Sequence, residues 1–411
     1  KQFCVKPAWP EGNFVRRPSG PCAPCHSRLF VIAFAMGSSP SSTSKAIAER
    51  QQSGKPIVLH LCGSRTSEYY EGVSAYYASQ CFDVVSTHGT FEHAIAMVHM
   101  DGTWSFPCDF SVDSKAAAER LTMSQAMQAI VELAPAVCVP HMFCLPGMTT
   151  YRAIFDALQI PLVGNDAGTM ALSTNKAQSR AVVAAAGVRV PEAELLRKGD
   201  RPRMSPPFVL KPCNEDNSMG VTLYTGRDGQ SLDEALETAF SFDSEVLCER
   251  YVELGREVRC AVLEQADGSL ELLPCLEYFL SAENPIRASK DKLVTDSRGV
   301  PVTVTTGGRK CPADIDEPLR QKLEHLATRS HVALGCRDYS LYDVRIDPQG
   351  EPYFLEACLY CSFAPKSVIV GMCGGRAQGQ QEVFETLVNR TIDRRRKAAE
   401  SPQLLGMKAS A

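Results

Sequence analysis

The sequence predicts an α/β protein, in which an open α/β domain is followed by two strand-rich α+β lobes. Three observations lead to this prediction. Helix-like and strand-like stretches alternate over residues 55–164, beginning with an apolar strand at 55–61. Beyond residue 170 the pattern changes to strands that are joined by glycine turns. In the last third, two strands flank the turn Asp347-Pro348-Gln349-Gly350 and a helical segment ends the chain.

Each predicted element follows from local chemistry. In the first domain, helical periodicity covers 116–133 and 151–158, and the buried strand 136–139 ends at Pro140. The next helix spans 173–187, with Ser173 as its cap and Gly187 as its stop. Further helices are predicted at 232–242 and 319–334, and strands at 160–163, 208–211, 220–224, 246–249 and 257–263.

The elements divide the chain into a leader, three folded regions and a tail. The predicted boundaries are 1–54 for the leader, 55–172 for an N-terminal α/β substrate domain, 173–253 for a central lobe, 254–397 for a C-terminal lobe and 398–411 for the tail. The leader is rich in Ser, Pro and Ala and poor in acids, which suits an organellar transit segment or a disordered segment equally. We therefore expect a cytoplasmic protein, or a plastid protein if 1–54 is a transit segment.

Composition narrows the choice of partners. The chain has 411 residues, a net charge of −4 and 22% charged residues, so neither nucleic acid nor a membrane surface is expected as a partner. The 17 cysteines are scattered through apolar segments, a distribution typical of reduced, buried thiols. A structural metal or disulfide at the C-x-x-C pairs Cys22/Cys25 and Cys358/Cys361 is the alternative, although zinc-site spacing is missing.

The first chemical motif is the segment from Lys211 to Gly220, which reads Lys-Pro-Cys-Asn-Glu-Asp-Asn-Ser-Met-Gly. A strand ends in a lysine, and a short polar loop leads to the next strand. Such a loop can present backbone N–H groups to phosphate oxygens while the lysine supplies positive charge. An ordinary polar surface hairpin is the other interpretation.

A second motif follows at Glu249-Arg250-Tyr251-Val252, with Glu257 shortly after. A strand that ends in an acid and continues as an extended connector can offer backbone groups to adenine and a carboxylate to ribose hydroxyls. The alternative is an ordinary strand end with solvated charges.

The third motif is a pair of acids, Asp343 and Glu356, on the two strands around the Asp-Pro-Gln-Gly turn. Both acids stand among apolar residues, where a carboxylate is costly unless a cation pairs with it. Oxygen ligands on a rigid hairpin suit Mg²⁺ that is bound together with nucleotide phosphates. A partly exposed face carrying two acids is the plainer interpretation.

In this order and spacing the motifs resemble the ATP-grasp superfamily, and within it the D-alanine–D-alanine ligases, from about residue 55 to residue 389. The resemblance implies an ATP-grasp fold whose two lobes enclose ATP, with Mg²⁺ as the metal and Mn²⁺ as an alternative. It implies that Lys176 and Lys211 hold the ATP phosphates, and that Glu215, Asn217 and Ser218 form the loop over them. Glu249 would take the adenine amino group, Arg250, Tyr251 and Val252 would form the adenine connector, and Glu257 would bind ribose. Asp343 and Glu356 would bind the metal.

Four residues are implied for catalysis: Ser218, Lys292, Lys366 and Ser367. Lys292 falls in the stretch of the family's mobile loop, and Lys366-Ser367 where the family grips the carboxylate of the incoming amino acid. Three departures from the family's pattern affect the part of the site that would bind the first substrate. Gly147-Met148-Thr149 replaces the family's Glu-Asp-Gly, Leu341 stands where an arginine is expected, and Cys358 stands where an asparagine metal ligand is expected.

The segments 145–149, 254–260 and 359–367 resemble one branch, the ligases of mycosporine-like amino acid synthesis. This resemblance implies an ATP-dependent, ADP-forming carbon–nitrogen ligase that joins an amino acid such as serine or threonine to mycosporine-glycine, a cyclohexenimine-type acceptor. The alternatives are a dipeptide ligase of altered specificity and a non-catalytic ATP-binding protein. The paired acids and lysines argue against a pure binder. Whether the chain forms a homodimer stays open.

Overall fold

The structure is a computed structural model that describes residues 50–287, 293–295, 301–303, 308–374 and 379–400. These residues belong to one structural unit, Ser41–Ala411. Most of the predicted leader and tail, and the whole of the loop that carries Lys292, lie outside the described residues. Within the described part, no helix is both long and apolar enough to cross a membrane.

Several sheets with flanking helices make up the unit, which confirms the predicted α/β class. The strands are β1 (Ile57–Gly63), β2 (Glu92–Val98), β3 (Trp104–Ser105), β4 (Val137–Pro140), β5 (Ala193–Arg197), β6 (Phe208–Pro212), β7 (Thr222–Tyr224), β8 (Glu245–Arg250), β9 (Arg256–Glu264), β10 (Leu270–Leu272), β11 (Leu276–Tyr278), β12 (Leu293–Thr295), β13 (Pro301–Thr303), β14 (Arg309–Lys310), β15 (Tyr339–Ile346) and β16 (Pro352–Ala357). The helices are α1 (Glu68–Val85), α2 (Val112–Ala117), α3 (Met123–Leu133), α4 (Leu145–Met148), α5 (Thr150–Ala157), α6 (Ala167–Thr174), α7 (Lys176–Ala185), α8 (Leu232–Phe240), α9 (Glu317–Ala333), α10 (Val368–Cys373) and α11 (Gln380–Glu400).

The N-terminal sheet has the strand order β3-β2-β1-β4, in which β1 runs parallel to both β2 and β4. All seven residues of β1 are buried, as expected for a parallel strand that is covered on both faces. Helix α3 contributes Ala126, Ile130 and Leu133 to the core on one face, because these apolar residues recur at helical spacing.

Three buried histidines cross this sheet as a hydrogen-bonded row. His60 Nδ1 lies 3.0 Å from His141 Nε2, and His60 Nε2 lies 3.0 Å from His93 Nδ1. The ring centroids of both pairs are 5.3 Å apart, so the nitrogens face each other nearly end to end. Burial is the main cause of the pKa shift of each ring: the pKa of His60 is well below its ordinary value, that of His93 falls to about 4 and that of His141 to about 3. The row is therefore neutral at pH 7.

The central sheet is antiparallel with the order β5-β8-β6-β7. Helix α8 covers one face of it, where Leu236 and Ala239 pack with Phe208, Leu210 and Cys248. Lys211 of β6 and Glu249 of β8 alternate with these core residues along their strands, so they lie on the opposite face of the sheet.

The C-terminal sheet follows the order β14-β11-β9-β15-β16, with β10 paired to β9. Strand β15 is buried along its whole length, and it meets β16 in the predicted hairpin around the Asp347–Gly350 turn. Asp343 pairs in register with Glu356, and the register shifts directly after this pair. Such a bulge twists the strand locally and changes the direction of the neighbouring side chains.

Two predicted helices are interrupted. The segment 116–133 forms α2 and α3, because Thr122 caps a new helix through a capping box with Gln125. The segment 173–187 forms α6 and α7, and the cap is Asn175 rather than Ser173: the Asn175 side chain accepts a hydrogen bond from Gln178 N at 2.9 Å. The break places Lys176 at the first position of α7, where it faces a cavity between the central and C-terminal sheets.

Candidate active site

A cavity of about 680 Å³ opens between the central and C-terminal sheets, and we call it the inter-sheet cavity. Its walls carry most of the residues that the motifs predicted for the nucleotide and the metal. They are Lys176, Lys211, Ser218, Glu249, Arg250, Tyr251, Val252, Glu257, Asp343 and Glu356. The folding of two sheets against each other thus brings together residues that are up to 180 positions apart in the chain.

Two lysines reach this cavity from different elements. Lys211, at the end of β6, forms an ion pair with Glu249 of β8. Lys176, at the start of α7, donates to the Glu215 carbonyl, and its Nζ lies 3.6 Å from Glu356 Oε2. Both lysines are held by acids at the cavity wall, so their charges are positioned before any ligand binds.

Glu249 keeps one acceptor available. Its side chain is only 2% exposed, and its Oε1 finds no hydrogen-bond partner among the described residues, although Arg180 Nε lies 3.8 Å away. A buried oxygen without a donor is costly, which is explained if a bound ligand supplies an amino group there. Adenine has such a group, so the geometry fits the predicted adenine role of Glu249.

The connector after Glu249 is only partly turned towards the cavity. Tyr251 and Val252 line it, and the Val252 carbonyl accepts from Arg345 Nη1 at 3.4 Å. The Arg250 side chain instead reaches Glu192, with 3.0 Å between Arg250 Nε and Glu192 Oε2. We therefore expect Arg250 to contribute mainly its backbone and the stem of its side chain to the cavity.

Two ion pairs cross from β9 to β15 on one face of the C-terminal sheet. Arg345 Nη2 lies 2.6 Å from Glu257 Oε2, and Arg259 donates to both carboxylate oxygens of Asp343, with 2.6 Å between Arg259 Nη2 and Oδ2. Both pairs follow the strand register, in which Glu257 faces Arg345 and Arg259 faces Asp343. Burial disfavours the charged form of Arg259, but the carboxylate of Asp343 raises its pKa well above the ordinary value.

Asp343 and Glu356 stand together with Cys358, with one ligand atom of each within 4.8 Å of the others. The two carboxylates fit Mg²⁺, which takes one or two protein carboxylates together with substrate phosphates. Cys358 does not fit as a third ligand: burial raises the pKa of its thiol well above the ordinary value, and a neutral thiol is a poor partner for a hard cation. Among the described residues, the metal would thus be held by Asp343 and Glu356.

The polar loop between β6 and β7 has an unusual backbone. Asn217 and Ser218 both have positive φ, 54° and 58°. Two consecutive residues with positive φ form a tight turn, and backbone N–H groups in a turn can bind an anion. Ser218 lines the inter-sheet cavity, Asn217 lines the neighbouring cavity and Glu215 lines neither. Glu215 therefore contributes to the site through its backbone carbonyl, which accepts a hydrogen bond from Lys176, and not through its carboxylate.

A second cavity, of about 1050 Å³, adjoins the first, and we call it the aromatic cavity. Its lining includes Tyr70, Tyr77, Phe143, Tyr278 and Tyr360 together with Arg259, Arg287, Arg309, Asp216, Lys366 and Ser367. Tyr360 donates a hydrogen bond to Asp216, so the polar loop is tied to this cavity. Lys366 and Ser367 also line this cavity, and their role in binding the amino-acid carboxylate stays a prediction.

Sequence reasoning missed the arginines and the aromatic lining. Arg259 had a signal, because it alternates with Glu257 on one face of a strand whose remaining interior residues are apolar. Arg287 lies in an irregular segment, and the aromatic residues come from four distant segments, so no local pattern marks them.

Comparison with known proteins gives a consistent result. The family model "D-ala D-ala ligase C-terminus" matches residues 183–393. The chain is 30% identical over 230 residues to D-alanine–D-alanine ligase B of Mesorhizobium japonicum, covering 54% of this chain and 68% of that protein. It is also 30% identical over 240 residues to the D-alanine–D-alanine ligase of Agrobacterium fabrum, covering 56% of this chain and 72% of that protein.

Solved structures extend the likeness of the fold to most of the chain. The VanG D-Ala:D-Ser ligase from Enterococcus faecalis superposes with a TM-score of 0.67 at 23% identity, over 82% of this chain and 99% of that one. The D-alanine–D-alanine ligase from Bacillus anthracis complexed with ATP superposes with a TM-score of 0.60 at 16% identity, over 84% of this chain and 100% of that one. At these identities the superpositions establish the fold.

Proposed function

The chain belongs to the D-alanine–D-alanine ligase family, and from this premise we propose that it joins an amino acid to mycosporine-glycine at the border of the two cavities. It is an ATP-dependent carbon–nitrogen ligase that forms ADP, and it uses ATP with Mg²⁺. What we propose beyond this activity is the identity of the two substrates. The free, mostly buried thiols of the described cysteines support a reducing compartment, either the cytoplasm or a plastid.

The proposed reaction has two steps. The ring carbonyl oxygen of the acceptor attacks the γ-phosphorus of ATP, a new P–O bond forms, and ADP leaves with the electron pair of the broken P–O bond. The amine nitrogen of the amino acid then attacks the ring carbon that carries the phosphate. Inorganic phosphate leaves with the electron pair of the C–O bond, and the nitrogen loses its protons as the imine forms.

The residues of this chain supply position and charge for both steps. Lys176 and Lys211 neutralise phosphate oxygens, and the N–H groups around Ser218 close over them. Asp343 and Glu356 would hold Mg²⁺, which offsets negative charge on the phosphates when bound. Ser367 and Lys366 face the aromatic cavity, where they can hold the carboxylate of the incoming amino acid.

The observation that carries the acceptor assignment is the lining of the aromatic cavity. Tyrosine and phenylalanine rings provide flat apolar surface, and cationic side chains outnumber the acid Asp216, which Tyr360 already binds. This combination suits a flat, conjugated ring that carries a carboxylate. A D-alanine is small and has no ring, so it would leave most of this aromatic surface without a partner.

A second candidate is a dipeptide ligase of altered specificity. It is favoured by the names of the relatives, which are D-alanine–D-alanine ligases, and of the VanG D-Ala:D-Ser ligase. Three residues argue against it. Leu341 and Cys358 replace the arginine and the asparagine that the family carries, and the buried Met148 lies in the segment where the family carries an acid.

The test is a product assay with both acceptors. The chain is incubated with Mg²⁺-ATP and mycosporine-glycine plus single amino acids, and in parallel with D-alanine alone or D-alanine plus D-serine. We expect a red shift of absorbance and an imine product of matching mass only with mycosporine-glycine, together with one ADP per imine. Robust dipeptide formation with mycosporine-glycine left unchanged would support the second candidate instead. An Asp343→Asn variant serves as the inactive control.

A further inference from the structure

The border between the two cavities is marked by an arginine, Arg287. Arg287 lines both cavities, and among the described residues no other side chain does so. Its guanidinium carbon lies 3.5 Å from the centroid of the Tyr278 ring, and its Nη1 lies 4.0 Å from Asp343 Oδ2. Its side chain is 14% exposed, so the guanidinium is fixed between an aromatic face and a carboxylate.

Arg259, which also lines the aromatic cavity, supports this arrangement. It binds Asp343 with two hydrogen bonds, which holds the carboxylate that Arg287 faces. Its guanidinium carbon also lies 5.9 Å from the centroid of the Tyr278 ring. The same acid and the same ring thus position both guanidinium groups, and Leu341, which also lines this cavity, contributes no charge.

A phosphoryl group that moves from ATP in the inter-sheet cavity to an acceptor in the aromatic cavity must cross this border. During the transfer, negative charge is spread over the three equatorial oxygens of the phosphoryl group. A planar guanidinium can donate two parallel hydrogen bonds to such oxygens, which an ammonium group cannot.

We propose that Arg287 is a catalytic residue that binds the phosphoryl group during its transfer, and that Arg259 is a positioning residue that acts through Asp343 and Tyr278. As the γ-phosphorus moves, its bond to the bridging oxygen of ADP breaks and its bond to the acceptor oxygen forms. Arg287 donates hydrogen bonds to the equatorial oxygens throughout, and no proton is exchanged. This inference rests on the proposed transfer to an acceptor oxygen, but it does not depend on which acceptor is used.

The test separates transition-state binding from ground-state binding. Dissociation constants are measured for ADP–aluminium fluoride, which mimics the transferring phosphoryl group, and for a non-hydrolysable ATP analogue, both with Mg²⁺ and without acceptor. In Arg287→Ala we expect the affinity for ADP–aluminium fluoride to fall about 100-fold and that for the ATP analogue to change less than about threefold. Arg287→Lys should fall between these limits, and added methylguanidinium should restore part of the loss in Arg287→Ala.

The matched control is Arg189→Ala. Arg189 also stacks on a tyrosine, with its guanidinium carbon 5.5 Å from the Tyr353 centroid, and it pairs with Glu351, but it lines neither cavity. Both affinities should keep their wild-type values in this variant. An Arg287→Ala protein with a normal melting temperature contradicts the inference if both affinities are unchanged, or if both fall equally. If neither acceptor supports turnover, the proposed function fails, while the metal-fluoride comparison still decides the role of Arg287.

Discussion

Lys211 and Glu249 form an ion pair on neighbouring antiparallel strands, and the carboxylate is almost fully buried, with 2% of its side chain exposed. The pair fixes a positive charge at the wall of the inter-sheet cavity, where the ATP phosphates are expected. A lysine held in this way needs little reorganisation when the phosphoryl group moves.

Lys211→Ala should lower kcat at least about 100-fold, because a preorganised charge of this kind contributes on the order of 3 kcal/mol to the barrier. The matched control is Lys322→Ala, since Lys322 also pairs with a glutamate, Glu351, but is exposed and outside both cavities. That pair should contribute less than about 1 kcal/mol to stability and nothing to turnover. Near-normal kcat in Lys211→Ala, with an unchanged circular dichroism spectrum, would sink the assignment.

Asp343 and Glu356, the two proposed metal ligands, should differ in how much their loss of charge destabilises the fold. Both Asp343→Asn and Glu356→Gln should abolish turnover and weaken Mg²⁺ binding. Asp343→Asn should also destabilise the fold by about 3 kcal/mol, because it leaves the buried Arg259 without its carboxylate. Glu356 is more exposed, at 21%, and its partner Lys176 lies 3.6 Å away, so Glu356→Gln should change stability much less. Urea titrations and steady-state kinetics test both parts, and equal destabilisation would contradict the account.

Ser367 offers a test of the amino-acid side of the reaction. Ser367→Ala should raise the KM for the amino acid about tenfold to hundredfold, since a hydrogen bond to a charged carboxylate contributes roughly 1.5–3 kcal/mol. The KM for ATP should stay within about twofold of the wild type, because Ser367 lines only the aromatic cavity. A parallel rise in both KM values would show that Ser367 acts on the fold rather than on the amino acid.

The histidine row predicts an acid-sensitive fold. His60, His93 and His141 are neutral in the folded state because their pKa values are lowered, to about 4 for His93 and about 3 for His141. In the unfolded chain they bind protons near pH 6.5. The unfolded state therefore binds more protons below that pH, and stability falls as the pH decreases from about 6.5 towards 4, by about 1.4 kcal/mol per pH unit for each histidine.

His93→Phe is the matched variant for this prediction, because aromatic rings of Phe82, Phe91 and Phe384 already surround His93. Between pH 6 and pH 5, the slope of unfolding free energy against pH should decrease by about one proton in this variant. The measurement is urea unfolding across this range. The same slope in the variant and in the wild type would contradict the neutral row.

Much of the fold was accessible from sequence because hydrophobic periodicity and turn residues are local signals. The β15–β16 hairpin illustrates this: two apolar runs around Asp-Pro-Gln-Gly predict that Asp343 and Glu356 lie on adjacent antiparallel strands, and in the structure the two residues pair directly. The break at Asn175 was missed, because an alanine-rich run keeps helical periodicity through a residue whose capping role depends on tertiary placement.

The nucleotide side of the site was predicted more completely than the acceptor side. Lys211, Glu249 and Glu257 stand in the first two motifs, Lys176 is implied by the family resemblance, and all four line the inter-sheet cavity. The aromatic cavity is assembled from α1, the segment after β4, β11 and the segment after β16, so its lining is a property of packing. Arg287 has no periodic neighbour that would mark it, and only the meeting of the two cavities identifies it.

The most direct test of the central claim follows one oxygen atom. Mycosporine-glycine labelled with ¹⁸O at its ring carbonyl is incubated with the chain, Mg²⁺-ATP and the amino acid that gives the highest turnover, and the phosphate released is analysed by mass spectrometry. In the proposed reaction the acceptor oxygen is phosphorylated and leaves with the phosphate, so we expect one ¹⁸O atom in each inorganic phosphate. A parallel reaction with ¹⁸O-carboxyl D-alanine should release no labelled phosphate. Unlabelled phosphate from the first reaction, or labelled phosphate from the second alone, would contradict transfer to the ring oxygen.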